Sequence, residues 1–390
     1  MLNSIKIATT GLLTYSKELQ NISHNVANLN TPGFKSSNSK FASLMNHGSS
    51  GSSANPQGQS SGGGVTNLGQ SINFAQGPIN STGNDLDAAI DGNGFFVVKE
   101  KNGNLLYTRN GAFKFNGEGY LVDQEGNRVQ GFDAQGRLQD ISFNGYLKNS
   151  AAVSKSILLT GKLSTADTEK NVSGVSVFDA VGGSHDLTIN FKNNSAATTG
   201  SWLVTIKEGT TVVANGEIKF INGNLDPAKR SLSFTYSPVG AAPLALNLNL
   251  EDSVTSISSG SSSLAVSKID GYGTGELNKT SFDDQGNIVF NYTNGQTLKN
   301  QSLAIANFAS TDNLVAVSGN KFKSMSQQDG VLTTAANGMR SIEGGSIEGS
   351  NVDLSKEFSQ IIITQRAYQA ASELISTANQ MMDTLLRMKG

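Results

Sequence analysis

The chain contains no cysteine. That absence removes disulfides, thiolate-held zinc or iron–sulfur clusters and thiolate nucleophiles, so folding must rest on burial and assembly. Histidine is scarce too. His24, His47 and His185 lie far apart and none has a partner at metal-ligand spacing, so neither a metal nor a cofactor is expected. Charge of one sign is also missing: 29 basic and 31 acidic residues are interspersed among 390, for a net charge of -2. Such a balance creates no field for nucleic acid or an anionic membrane. No apolar run approaches the roughly 20 residues that span a bilayer. Near the N-terminus Asn3, Ser4, Thr9 and Thr10 interrupt any apolar core before it forms, so a cleaved secretory signal is not expected.

Glycine is abundant instead, with 43 residues, while only 37% of the chain is hydrophobic and 15% charged. This is the turn-rich composition of long β meanders. At roughly 150 residues per domain the length suggests two or three domains.

The two ends break from that texture. Ile5, Leu12, Leu19 and Val26 recur every seven positions, with Ala8, Tyr15, Ile22 and Leu29 in the intervening register. The spacing predicts an amphipathic helix with an a/d seam. Asn30, Thr31, Pro32 and Gly33 stop the pattern, so this helix should finish near Asn28. At the other end Ile361, Tyr368, Ile375 and Met382 repeat every seven, with Ala371, Ala378 and Leu385 three further on and Ala367, Leu374, Met381 and Met388 widening the stripe. Ser350, Asn351 and Asp353 offer N-capping oxygens, which places a helix from about Asp353 to Met388. Two long seams at opposite ends of a β-rich chain suggest helices that pair with each other and with copies from neighbouring subunits.

Between the helices, residues 46–64 are almost devoid of apolar side chains and read as a flexible loop within a linker over 31–75. From Phe74 onward turn signals recur about every eight residues, among them Asn102-Gly103, Asn110-Gly111 and Glu125-Gly126, as in a β meander. A second β tract fills 151–270. A third, Ser281 to Tyr292, echoes Phe115 to Val122, which suggests one β domain formed by 76–150 and 271–344 with another inserted in it. The expected fold is mainly β: two β domains, one inserted in the other, with N- and C-terminal α-helices (1–30 and 345–390) forming a coiled-coil-like assembly domain.

Candidate chemical sites fare poorly. Asp85, Asp87 and Asp91 resemble the start of a calcium loop, but Ile90 stands where that loop needs Gly and no Glu closes it; turn capping is the better account. Gly271-Tyr272-Gly273-Thr274-Gly275 lacks the following helix of a phosphate cradle. His185 beside Asp186 could suggest a Ser-His-Asp site, but neighbours in a strand point to opposite faces, and a surface turn is the better account. Trp202, the sole tryptophan, alternates with Val204 and Ile206 and reads as core rather than a sugar platform. No catalytic residue is assigned, and the chain is not expected to be an enzyme.

The run Asn25-Val26-Ala27-Asn28-Leu29-Asn30-Thr31-Pro32-Gly33-Phe34-Lys35 resembles the N-terminal signature of the bacterial flagellar rod and hook family. Gly344 to Leu354, followed by Gln365-Arg366-Ala367-Tyr368-Gln369, resembles its C-terminal signature, and Leu86 to Phe96 with Tyr107-Thr108-Arg109-Asn110-Gly111 is similar to its inner β domain. Val175 to Asp179 with His185-Asp186-Leu187, and Tyr292 to Gly295 with Ala306-Asn307-Phe308, look like the hook branch, as does a large β tract that rod members lack. The resemblance implies a structural subunit that polymerises into the hook, a curved tube transmitting motor torque to the filament. Distal rod protein is the alternative within the family, and a β-rich adhesin outside it. Implied partners are further copies of the chain, distal rod, hook cap and hook-filament junction proteins and the flagellar type III export apparatus, with an extracellular hook/basal-body location and export without cleavage. The polymerisation interface is expected to comprise the seam residues Ile5, Leu12, Tyr15, Leu19, Ile22, Val26, Ile361, Tyr368, Ile375 and Met382. Asn28, Phe34, Asn351, Val352 and Arg366 of the terminal motifs complete it.

Overall fold

The computed structural model describes residues 2–45, 62–325, 330–335 and 341–389. Helix α1, Leu2–Ala27, carries hydroxyls that would compete with the backbone if they were not used within the helix. Thr9 Oγ1 donates to Ile5 O at 2.8 Å and Thr14 Oγ1 to Thr10 O at 2.7 Å. The helix ends in a turn where Leu29 N donates to Val26 O and Thr31 N to Asn28 O. There Gly33 adopts φ +69°, and a β-carbon on it would lie 2.4 Å from Asn110 N. Helix α2 runs Leu354–Lys389. Asp353 caps it, Oδ1 accepting from Ser355 N at 2.9 Å and Lys356 N at 3.1 Å.

The stretch expected to be a linker, 31–75, is not one. It contains strands β1, Ser37–Met45, and β2, Gly62–Ile72, paired antiparallel from Ser37↔Ile72 to Met45↔Gly62 with irregularities at Lys40/Phe41 and Leu44/Met45. Both faces of this ribbon are largely polar, so no period-two apolar pattern announces it. Of the expected 46–64 loop, residues 46–61 lie outside the described residues and 62–64 open β2.

The chain divides into two compact units, one of residues 1–144, 280–289 and 299–390, the other of 145–279 and 290–298. The first joins both helices to a β meander that includes β3, Ile79–Ser81, β4, Ala88–Asp91, β5, Phe95–Lys99, and β6, Leu105–Thr108. β3 pairs with Ser346–Glu348 and β4 with Ser341–Gly344, so the segment leading into α2 is laced into this sheet system. Its aromatic core sets Phe95 edge-on to Phe74, Phe308 and Phe322 at centroid separations of 5.5–5.8 Å, a favoured geometry for ring quadrupoles.

The second unit packs a four-stranded and a seven-stranded sheet around one apolar core. Leu244–Leu250 buries every other residue, and Trp202 is fully enclosed, so it is core, as the alternation predicts. The unit boundaries depart from the expected 151–270. Residues 290–298 join the second unit because Tyr146 stacks on Phe290 at 4.8 Å and Asn294 Nδ2 donates to Gly273 O at 2.8 Å.

Candidate assembly interface

The two terminal motifs meet inside the first unit. Gly33 N donates to Glu348 O at 2.8 Å, and Ser36 N to Asn351 Oδ1 at 2.8 Å. Asn351 Nδ2 then reaches Asn73 O at 2.7 Å and Ala75 O at 2.9 Å. One Asn therefore ties the exit of α1, the end of β2 and the entry of α2 together. Phe34 and Val352 are buried beside it, while Asn28 and Asn351 are half-buried.

Beneath lies a charged cluster that sequence reasoning missed as a site. Glu348, fully buried, receives Lys35 Nζ at 2.5 Å and Arg109 Nη1 at 3.0 Å. Gly77 N donates to the same carboxylate at 2.9 Å, and Lys35 Nζ also donates to Ala75 O at 2.7 Å. Arg109 completes its fork on Ile90 O and Gly92 O. Burial pulls the Lys35 ammonium below its ordinary pKa, opposed by the hydrogen bond and charge of Glu348 and reinforced by Arg109. The signal was present in that each charge sits inside one of the three recognised motifs. Their convergence is a long-range fact that no local pattern carries.

The helices α1 and α2 pack on each other. Asn25 Nδ2 meets Glu357 Oε1 at 3.1 Å and a β-carbon on Gly11 would lie 3.9 Å from Ala371 Cβ, so they run antiparallel. Of the expected seam on α1, Ile22 is buried and Ile5, Leu12, Tyr15, Leu19 and Val26 are half-buried. On α2 Ile361, Ile375 and Met382 are half-buried, whereas Tyr368 and Arg366 are exposed. The most buried positions of α2 are Glu357, Thr364, Ala371 and Ala378, spaced by seven. Sequence reasoning also missed a buried polar face on α1, Thr14, Glu18, Asn21 and Asn25, whose i, i+4, i+7, i+11 spacing is itself helical.

The widened stripe on α2 is not covered by α1. Leu374, Met381 and Met388, at seven-residue spacing, are 60%, 49% and 80% exposed, and Phe358, Ile362 and Leu385 stand open as well. A helix 36 residues long thus turns a face of small, polar and half-buried apolar residues inward and leaves an apolar stripe uncovered. Elsewhere the weighed acidic residues are engaged in turn and cross-strand contacts, and His185 and Asp186, expected at a surface turn, lie in the strand Ser184–Asn193, where Asp186 sits opposite Ser176. Asp87 accepts from Thr82 Oγ1 and Asn84 Nδ2, and Asp186 accepts from Ser176 while His185 faces Asp179 at 3.2 Å. Among the described residues no group of three or more His, Cys, Asp or Glu could hold a metal ion, and no helix is long and apolar enough to cross a membrane.

Comparison with known proteins places these features in a family. The model of the flagellar hook protein FlgE/F/G D1 domain matches residues 89–166, and that of the flagellar basal body rod FlgEFG protein C-terminal region matches residues 343–388. The flagellar hook protein FlgE of Escherichia coli (strain K12) is 31% identical over 418 residues, covering 98% of this chain and 99% of that protein. The FlgE proteins of Salmonella typhimurium and Borreliella burgdorferi are 28% and 27% identical, covering 99% and 100% of this chain and all of theirs. Among solved structures the Helicobacter pylori flagellar hook protein FlgE2 overlays with a TM-score of 0.46 at 12% identity, on 68% of this chain and 99% of that one. The matched segments contain Arg109, Glu348 and α2, and the likeness to the E. coli protein runs from end to end of both chains: this chain belongs to the family of flagellar hook proteins FlgE.

Proposed function

We propose that this chain is a structural subunit of the bacterial flagellar hook, polymerising into the curved tube that transmits motor torque to the filament. The observation that carries the reading is the open apolar stripe of α2, Leu374, Met381 and Met388, which wants cover that α1 does not give. A contact of this stripe with a different surface on the next copy is heterologous, and when its rotation does not close it generates an open helical polymer. The terminal helices then line the tube as a coiled-coil-like layer, with the seam residues and Asn28, Phe34, Asn351, Val352 and Arg366 at or beneath the subunit contacts. The β meander forms the middle layer, and the second unit, as a domain inserted in the first, lies outermost. Distal rod, cap and junction proteins would meet the ends of the polymer, and the chain would leave the cell through the flagellar export apparatus without cleavage.

Negative-stain microscopy of cells lacking the gene tests this: no hooks are expected, and motile cells with normal hooks would overturn it. Deleting about Ala151 to Ile269 sharpens the layer assignment. Tubes should still form but straight, because contacts between outer domains are the ones that stretch and compress as a curved tube turns; normal curvature would show that the layers are misassigned.

A further inference from the structure

The contact of α1 with α2 and β1 is polar at one end and carries more carboxylate than it can satisfy. Asn21 and Asn25 are already engaged with Ser37. Asn21 donates to Ser37 O at 2.8 Å and accepts from Ser37 Oγ at 2.5 Å, while Asn25 accepts from Ser37 N at 3.0 Å and donates to Ser37 O and to Glu357 Oε1. Glu18 and Glu357 are both more than nine-tenths buried, and Glu18 Oε2 has no hydrogen-bond partner among the described residues. The charged groups acting on Glu357 are Glu18 of α1 and Asp353 and Lys356 of α2. Ser37, the β1 residue packed there, brings no charge. Lys356 is the one cation of the set and is exposed. Two buried carboxylates with one solvated cation are costly when both are ionised.

We propose that the α1–α2 pair takes up a proton as it forms, held at the buried Glu357 beside the buried Glu18 side chain, so that docking of the terminal helices is favoured by acid. A neutral carboxyl supplies an O–H donor where the strip has a surplus of acceptors. Burial, with the charges of Glu18 and Asp353, raises the Glu357 carboxyl above its ordinary value against the pull of Asn25 and Lys356. A folded value above the unfolded one means that the docked pair binds the proton and separation releases it. The stabilisation is complete below the unfolded value of 4.5 and is lost as pH rises through the folded one. Helix pairing is the contact that assembly must keep or exchange, so the proton tunes how readily the ends of the chain change partners.

Hydrogen exchange of the full-length, unassembled chain, corrected for intrinsic rates, tests the proposal. Protection of α1 and α2 amides should rise as pH is lowered from neutrality toward 4.5, with a slope of at most about tenfold for each pH unit, the limit for one proton. Strands of the second unit serve as the reference. Glu357→Gln keeps an acceptor for Asn25 and should hold the acid level of protection at every pH; Glu18→Gln should flatten the dependence as well. Uniform wild-type protection across the range would overturn the proposal, as would an unchanged pH dependence in both variants. If Glu357→Gln loses helical circular dichroism, the Glu18→Gln slope decides. The readout is of single chains, so a failure here leaves the hook assignment untouched, and normal hooks in the deletion strain leave this proposal untouched.

Discussion

In the second unit Trp202, Phe191 and Leu248 are sealed between two sheets, whereas in the terminal helix pair the deepest positions of α2 are Glu357, Thr364, Ala371 and Ala378. The first core is continuous, apolar and self-sufficient. The second is narrow, built on small and polar side chains at seven-residue spacing, and has an uncovered apolar stripe on its back. A core of the first kind is fixed by burial alone. A contact of the second kind has less to lose on opening and more to gain from a further partner, which is the condition for a polymerising end.

The largest effect expected from this contrast is all or none. Leu374→Asp lies at a position 60% exposed in the single chain, so it should leave thermal unfolding within about 0.5 kcal/mol of the parent. In a polymer the same charge would be left unpaired in an apolar contact, at a few kcal/mol or more per subunit, and sedimentation should find no polymer. Ile375→Asp and Leu19→Asp, on half-buried positions, should lose polymer and helix protection together. Normal assembly of Leu374→Asp would mean that the open stripe is not the subunit contact.

Next comes the sealed core. Trp202→Ala should cost about 3–5 kcal/mol and lower the unfolding transition of the second unit. Polymer formation by the helices should survive below that transition. Calorimetry on the variant, with a single transition shifted for the whole chain, would show that the two units are one cooperative body.

Why the helices were legible and the ribbon was not follows from the same contrast. The seams of α1 and α2 repeat every seven residues, and Asn30 to Gly33 and Asp353 mark their ends in a few adjacent letters. Ser37 to Met45 and Gly62 to Ile72 carry no regular apolar alternation, and the ribbon is tied to α1 at Ser37 by amide hydrogen bonds from Asn21 and Asn25 that no local pattern announces. The family motifs pointed to the right segments, yet Lys35, Arg109 and Glu348 were not assigned a role, since their meeting depends on chain segments 239 and 313 residues apart.

A third effect sits at that meeting point. Glu348→Gln keeps an oxygen for Gly77 N but leaves Lys35 and Arg109 buried without their counter-charge. Removing one partner of a buried ion pair costs about 3–5 kcal/mol, and the retained acceptor argues for the lower end. Exchange should rise in β3, β4 and the strands facing them before it rises in the second unit. An unchanged unfolding midpoint would show that the clasp contributes geometry and not stability.

The smallest effect concerns Lys35 and pH. Its ammonium titrates below 10.5 in the folded chain because burial outweighs the help of Glu348. In the window between the folded value and 10.5 the unfolded chain therefore holds a proton that the folded chain has shed, and stability from this residue rises with pH. Tyr107 acts in the opposite sense, since burial raises its hydroxyl above 10.0 and folded stability falls as pH climbs beyond that value. Lys35→Met removes the first contribution and leaves the second. Denaturant unfolding of both proteins from neutral pH to about 10 should thus show the wild type gaining relative to the variant, by at most about 1.4 kcal/mol for each unit of pKa depression. A difference that stays constant with pH would mean that the Glu348 carboxylate fully offsets the burial of Lys35, and that the clasp, unlike the strip at Glu18 and Glu357, is electrostatically closed.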